Sequence, residues 1–337
     1  MKKIIPVFVV LALLLGFSLK NQQVEFIGRA FYYILYKYVE KLEPAKVIEN
    51  GIRGMAKRAH SSFIESPVET YKNRDKLLLP GFQAFYSRDA MIIKEVFKET
   101  DAERKGLKKG DLLVEVDGFP LRLATAREAL WRLYGEEGTT VTLRVLRKMK
   151  IHDFKVVRDF PRRDFVLKKK RLIIYRLFKD TVNEIKESIL NRKKLIIDLR
   201  YFIDGDWKAS LALGSYLARR KTTVQLINGE EKKSFIFRGN FPGKIVIVTD
   251  HSCTGPCLVL AAPLQASGIS LLSPSQDLTG GCALSPIKFE QNKLLLIPTI
   301  GIKVNGTDIC KKKIKTTMVK EKILIKEARA RLEGRKL

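Results

Sequence analysis

The chain has 337 residues, 45% of them hydrophobic, with 12 Pro and 22 Gly, which suits about two globular domains and excludes a collagen-like or largely disordered protein. Lys and Arg number 64 against 36 Asp and Glu, a net charge of +28. No nucleic-acid partner is expected. The cations alternate with apolar residues, as in Phe154-Lys155-Val156-Val157-Arg158, so they read as the wet face of a strand.

Met1-Lys2-Lys3 precedes an apolar run, Ile4 to Leu19, that ends at Lys20-Asn21-Gln22-Gln23. Lysines ahead of such a run hold the N-terminus in the cytoplasm and send the rest outward. With no small-x-small cleavage site near Gly16 to Leu19, residues 1–23 read as an uncleaved signal anchor rather than a cleaved signal peptide. The bulk of the chain is then expected in the periplasm or another extracytoplasmic space. There, anionic lipid headgroups or cell-wall polymers match its charge better than DNA does.

Residues 24–71 read as a helical segment. Phe31, Ile34, Leu35, Tyr38 and Val39 recur at helical spacing, as do Val47, Ile48, Ile52 and Met55 after Pro44. Residues 72–149 read as a small domain. Phe82 to Tyr86 and Met91 to Phe97 are strands joined at Ser87-Arg88-Asp89. Gly106 closes a short helix, Gly110-Asp111 turns, and Leu112 to Val116 forms a strand ending on Asp117-Gly118. A helix over Thr125 to Leu133 shows Ala126, Ala129, Leu130 and Leu133 on one face, and Val141 to Leu146 closes the unit. From 150 to 337 strands alternate with helices. They are Leu172 to Tyr175, Val182 to Leu190, Leu195 to Leu199, Ala209 to Leu217, Ile245 to Val248, Leu258 to Ala266 and Leu294 to Ile297, the order of an α/β layer.

The four cysteines, Cys253, Cys257, Cys282 and Cys310, lack the paired spacing of a zinc site, and no histidine follows at ligand distance. No metal or cofactor is expected. In an exported chain two of the cysteines could pair, and the sequence leaves the pairing open.

Glu103-Arg-Lys-Gly-Leu-Lys-Lys-Gly-Asp-Leu-Leu-Val-Glu-Val-Asp-Gly118 resembles the PDZ signature A-G-L-x-x-G-D-x-I-x-x-(V/I)-(D/N)-G. The resemblance implies a groove that takes the carboxyl tail of a peptide as an added strand. Leu79-Pro80-Gly81-Phe82 is similar to the carboxylate loop, with Gly81 allowing close approach and Leu79 and Phe82 lining an apolar slot. Pro80 removes one expected N–H donor.

In order along the chain, further segments resemble the C-terminal processing peptidases, the tail-specific proteases. His60-Ser61-Ser62-Phe63-Ile64 is similar to D-P-H-S-S-Y-L, with Arg58-Ala59 in place of Asp-Pro. Ile197-Asp198-Leu199-Arg200 is similar to (I/L)-D-L-R-N-N-x-G-G, with Tyr201 to Gly205 in the last positions. Val246 to Asp250 enters the nucleophile turn, Ala261 to Gly268 resembles A-x-x-L-Q-x-x-G, and Thr279-Gly280-Gly281-Cys282 stands in the loop G-E-x-T-x-G-K-G. The resemblance implies an α/β (α+β) tail-specific-protease core with an inserted PDZ domain and an N-terminal helical segment. Protein C-termini are the implied partners.

The family's chemistry implies a serine, a lysine base about 25 residues later, and backbone N–H groups at the oxyanion. Here the nucleophile turn reads Ser252-Cys253-Thr254-Gly255-Pro256-Cys257-Leu258. A gap-free count puts Gly255 at the serine position, and one gap puts Thr254 there. Thr279-Gly280-Gly281 holds no lysine, a feature of a lysine-lacking branch, and Lys288 is the next one. Thr254 is the first candidate nucleophile. Cys253 beside His251 is a second, because residues two apart on an extended segment share a side, and Ser252 is a third. Gly205 marks the oxyanion region. His60 is expected as a capping or packing group and His152 as solvated. Two readings follow: a membrane-anchored peptidase whose hydrolysis is weakened, or an inactive relative that binds tails as an adaptor or regulator.

Overall fold

The structure is a computed structural model that describes residues 28–34, 43–58, 61–87, 89–161, 163–290 and 292–335. The expected anchor and His60 lie outside these; among the described residues no helix is long and apolar enough to cross a membrane. The chain divides into two compact units, Met1–Ala59 and His60–Leu337.

In the first unit residues 28–34 are helical, and α1 spans Pro44–Arg58. Val47, Ile48 and Ile52 of α1 are half-buried, while Met55 is exposed. The expected helical stretch 24–71 is interrupted. The second unit begins with a strand, β1 (Ser62–Ile64), which pairs antiparallel with β20 (Lys293–Val304). Phe63 and Ile64 are both fully buried, a two-sided burial that a strand satisfies. One short helix, α2 (Val68–Lys72), follows.

The small domain is an antiparallel sheet of β2 (Leu79–Pro80), β3 (Phe82–Ser87), β4 (Ala90–Val96), β5 (Leu112–Val116), β6 (Phe119–Pro120), β7 (Thr140–Arg147) and β8 (Lys150–Phe160). Its order is β2-β8-β7-β5-β4-β3, with β6 on β5, so β3 is an edge strand. Between β4 and β5, α3 (Asp101–Arg104) starts on a Thr100 cap and ends at Gly106 with φ +82°, where a side chain would be strained. Thr125 and Glu128 form a capping box at the start of α4 (Ala126–Leu133). Val116, Leu143, Val145 and Val156 fill the core.

This sheet runs past the boundary at 149 expected from sequence. β7 and β8 form one long hairpin, turning on Lys148 (φ +48°) and Met149 (φ +62°). Such turns favour Gly, Asn and Asp; with none of these present, the hairpin carried no turn signal.

Leu195-Ile196-Ile197 shows how the larger domain is built. Leu195 and Ile197 face one core and Ile196 the other, so the strand is apolar throughout. β9 (Phe165–Lys168), β10 (Arg171–Ile174), β11 (Arg176–Leu177), β12 (Lys194–Asp198), β13 (Asp204–Gly205), β14 (Thr222–Asn228), β15 (Glu231–Phe237), β16 (Lys244–Val248), β17 (Ser270–Ser273), β18 (Asp277–Leu278) and β19 (Ala283–Glu290) precede β20. β10, β12, β16 and β17 are parallel neighbours, with β9 antiparallel at one edge and Thr317–Met318 at the other. α5 (Lys179–Ile189), α6 (Trp207–Leu217) and α7 (Pro256–Ala266) cover one face, and α8 (Leu324–Leu332) the other. Because β1 belongs to the larger domain through β20, the small domain is an insertion within it. The cysteines pair as Cys253–Cys257 and Cys282–Cys310.

Candidate functional site

The site lies where β12 and β16 end beneath the small domain. After β16 the chain turns through Thr249 to Thr254 and enters α7 at Gly255, whose φ of +52° and ψ of −129° make the apex of a strand-turn-helix elbow. Glycine suits that conformation, and Pro256 suits the first helical position. The Gly255 N–H donates to Gly280 O at 2.7 Å, and an added Cβ would stand 3.3 Å from Arg127 Nη2. The apex therefore carries no side chain, and a guanidinium from α4 lies beside it.

The three candidate nucleophiles go to different places. Thr254 is exposed, and its hydroxyl makes no hydrogen bond to a described residue. Cys253 is in the disulfide with Cys257, 1% exposed, and has no free thiol. The expected Cys253–His251 contact is replaced because residues 250–253 are not extended. Cys253 N donates to Asp250 O at 3.1 Å, closing a turn, and the His251 ring meets Phe85 edge-on at 4.9 Å.

Ser252 has partners that the sequence did not signal. Its Oγ donates to Asp250 Oδ1 at 2.6 Å and accepts from Lys94 Nζ at 3.0 Å, while Lys94 pairs with Asp250 at 2.5 Å and donates to Arg200 O. Lys94 is on β4 of the small domain, with its side chain 13% exposed. Burial lowers its pKa, against the pull of Asp250 toward the ammonium form. Lys94 and Asp250 thus both hold the Ser252 hydroxyl. The family pattern sets its lysine downstream of the nucleophile; Lys94 lies 158 residues upstream of Ser252, and only folding joins them.

The loop expected to be the oxyanion region forms a joint between the domains. Asp198, at the end of β12, takes Arg171 and Arg200. The Tyr201 ring joins Phe97 and Tyr175. Phe202 O accepts from Gln83 Nε2 at 3.0 Å, and Ile203 packs against the small domain's core. Asp204, 1% exposed at its side chain, accepts from Arg74 Nε at 2.8 Å, Tyr134 Oη at 2.9 Å and Arg127 Nη1. Burial opposes its ionisation, but Arg74 and Arg127 overcome this and hold the carboxyl well below the usual carboxylate range. Gly205 is required here, since a Cβ would lie 2.7 Å from Leu177 O; its own carbonyl accepts from Arg74 Nη2. Residues 201 to 204 thus each hold the small domain in place over the elbow.

The expected carboxylate loop is less open than its sequence suggested. Leu79 and Phe82 are 1% and 3% exposed, Pro80 and Gly81 are buried, and an added Cβ at Gly81 would stand 2.1 Å from Thr100 Cβ. Leu79 follows the Leu78–Gly135 bridge, which lies just past the end of α4. Tyr86 Oη lies 2.8 Å from Ala124 O and 3.0 Å from Leu121 O, with one proton for the two carbonyls. The outer edge of β3 has no strand neighbour among the described residues. His152, on β8, and Lys288, on β19, are outside the site. Among the described residues no group of three or more His, Cys, Asp or Glu could hold a metal ion.

A PDZ-domain family profile matches residues 71–157, which takes in the hairpin partner β8. A "Probable CtpA-like serine protease" of Staphylococcus aureus strain COL is 24% identical over 219 residues, 58% of this chain and 43% of the relative. The "Carboxy-terminal processing protease CtpB" of Bacillus subtilis is 22% identical over 279 residues, 74% of this chain and 58% of the relative. The chain thus spans less than two thirds of the length of the curated relatives it matches. Among solved structures, a photosystem II D1 C-terminal processing protease shares the fold, with a TM-score of 0.57 at 15% identity, covering 86% of this chain and 91% of that one.

Proposed function

We propose, from the premise that this chain belongs to the C-terminal processing peptidase family and carries a PDZ domain, that it captures protein carboxyl tails without hydrolysing them at the peptidase elbow. The observation that carries this reading is Gly255 at the elbow apex beside Arg127. Acyl transfer needs a nucleophile at that point, a base within reach, and N–H donors aimed at the oxyanion. The apex offers no hydroxyl, Thr279-Gly280-Gly281 offers no base, and the 201–205 loop is committed to the small domain. The β3 edge beside α4 supports strand addition of a peptide, with an apolar last residue over Leu79 and Phe82.

A second reading, slow hydrolysis from Ser252, is favoured by one observation: Lys94 Nζ at 3.0 Å. Labelled peptides ending in an apolar residue separate the two when binding and cleavage are followed together. Capture predicts binding that weakens on amidation of the terminus and no cleavage, because charge-assisted hydrogen bonds to the carboxylate are lost. Cleavage abolished in Ser252→Ala and kept in Thr254→Ala would replace capture by the second reading. Equal binding of free-acid and amidated peptides would refute the groove.

The same proposal puts the protein outside the cytoplasm on the Ile4 to Leu19 anchor. Its support is the Lys2-Lys3 flank and the pairing of all four cysteines, since disulfides persist in oxidising compartments. Amino-terminal sequencing of the mature protein that starts beyond the apolar run would refute it.

A further inference from the structure

The elbow and the 198–205 loop leave the C-terminal ends of the parallel strands; the opposite end of that sheet has a different character. Lys168-Lys169-Lys170 leads into β10, Asn191-Arg192-Lys193 leads into β12 at Lys194, and Lys244 opens β16. The strand register sets Lys194 beside Lys244. Lys244 N donates to Lys193 O at 2.9 Å, Ile196 N to Lys170 O at 2.7 Å, and Arg192 Nη1 to Lys169 O at 3.3 Å. Two backbone bonds and one from the Arg192 side chain therefore tie these basic segments into one face. Glu333 borders it, its carboxyl held down first by Arg335 and also by Lys170 and Lys194. Next to the cations, two residues before Arg192, Leu190 ends α5 with 61% of its surface exposed.

We propose that this face docks on an anionic lipid bilayer, its six cations (Lys169, Lys170, Arg192, Lys193, Lys194 and Lys244) on the headgroups and Leu190 in the interface. Cations alone would suit any polyanion. The exposed leucine separates the cases, because a soluble polyanion offers it no apolar phase while a bilayer interface does. Docked this way, the sheet turns its basic end to the membrane and leaves the elbow end, with the small domain above it, facing away.

Each basic group near an anionic bilayer contributes about a fivefold gain in partitioning. The test uses the full chain with vesicles of phosphatidylcholine alone and of phosphatidylcholine with phosphatidylglycerol, so that binding through the apolar N-terminal run appears equally in both. Wild type is expected to prefer the anionic vesicles, with a preference that falls as salt rises. The variant Lys169→Gln/Lys170→Gln/Arg192→Gln/Lys193→Gln is expected to lose that preference by about several hundredfold, at fivefold per cation, while its thermal unfolding stays close to wild type. An environment-sensitive dye on Leu190→Cys is expected to shift to the blue on anionic vesicles only, and one on Met318→Cys, at the other end of the sheet, to stay unchanged. If the variant keeps the preference, the face is not the docking surface. Binding to duplex DNA or polyphosphate as tight as to anionic vesicles, with no dye shift, would overturn the lipid assignment in favour of a soluble polyanion.

Discussion

Asp204→Asn tests the joint between the two domains. The carboxylate is buried between Arg74, Arg127 and Tyr134, so the amide keeps the shape but leaves two guanidiniums without their counter-charge. Removing one partner of a buried ion pair costs roughly 3–5 kcal/mol, and two dependent cations put the expectation at about 4–5 kcal/mol at neutral pH. The pH profile gives a second, sharper check. Asp204 is depressed in the folded state, so its contribution is complete above the unfolded carboxyl pKa, about 3.9, and is lost as pH falls toward the lower folded value. Between those two values the unfolded chain carries the extra proton, and the wild type loses up to about 1.4 kcal/mol per pH unit that the Asn variant does not. The gap between the two should therefore shrink by about 2 kcal/mol from pH 4 to pH 2. Urea unfolding followed by tryptophan fluorescence reads this directly, because Trp131 lies 5.7 Å from the Tyr134 ring and Trp207 begins the helix that follows Gly205. A variant within about 1 kcal/mol of wild type at neutral pH, with a parallel acid profile, would refute the reasoning.

Gly81→Ala is expected to destabilise by about 1–3 kcal/mol or more through overpacking against Thr100, and to weaken tail binding only as the fold is lost; unchanged urea midpoints would show that the loop yields. Gly255→Ser is expected to produce no peptidase activity, since its side chain would meet Arg127 and the left-handed φ of +52° strains any side chain; turnover of an unstructured protein substrate would contradict this. Replacing Cys282 and Cys310 by serine should cost about 3–4 kcal/mol, and replacing Cys253 and Cys257 about 2 kcal/mol, because the first pair closes the longer loop. Equal losses in denaturant midpoints would argue against the loop-entropy account.

What the sequence determined on its own was local or periodic. Continuous apolar strands such as Leu195-Ile196-Ile197 can only be buried on both faces, and Gly106, Gly110 and Asp117-Gly118 impose their turns whatever surrounds them. Five motifs in chain order carried the resemblance to the C-terminal processing peptidases and their PDZ insertion, while the count across the nucleophile turn left Gly255 and Thr254 as alternatives. The Lys148-Met149 hairpin escaped because its left-handed turn is made without glycine or asparagine. The partnerships escaped for a different reason. Ser252 meets a lysine from β4, and Asp204 gathers Arg74 from one stretch of chain and Arg127 and Tyr134 from another. Such contacts have no spacing to read. They arise when the inserted domain closes over the elbow, and burial makes a charge left there without a partner too costly to keep.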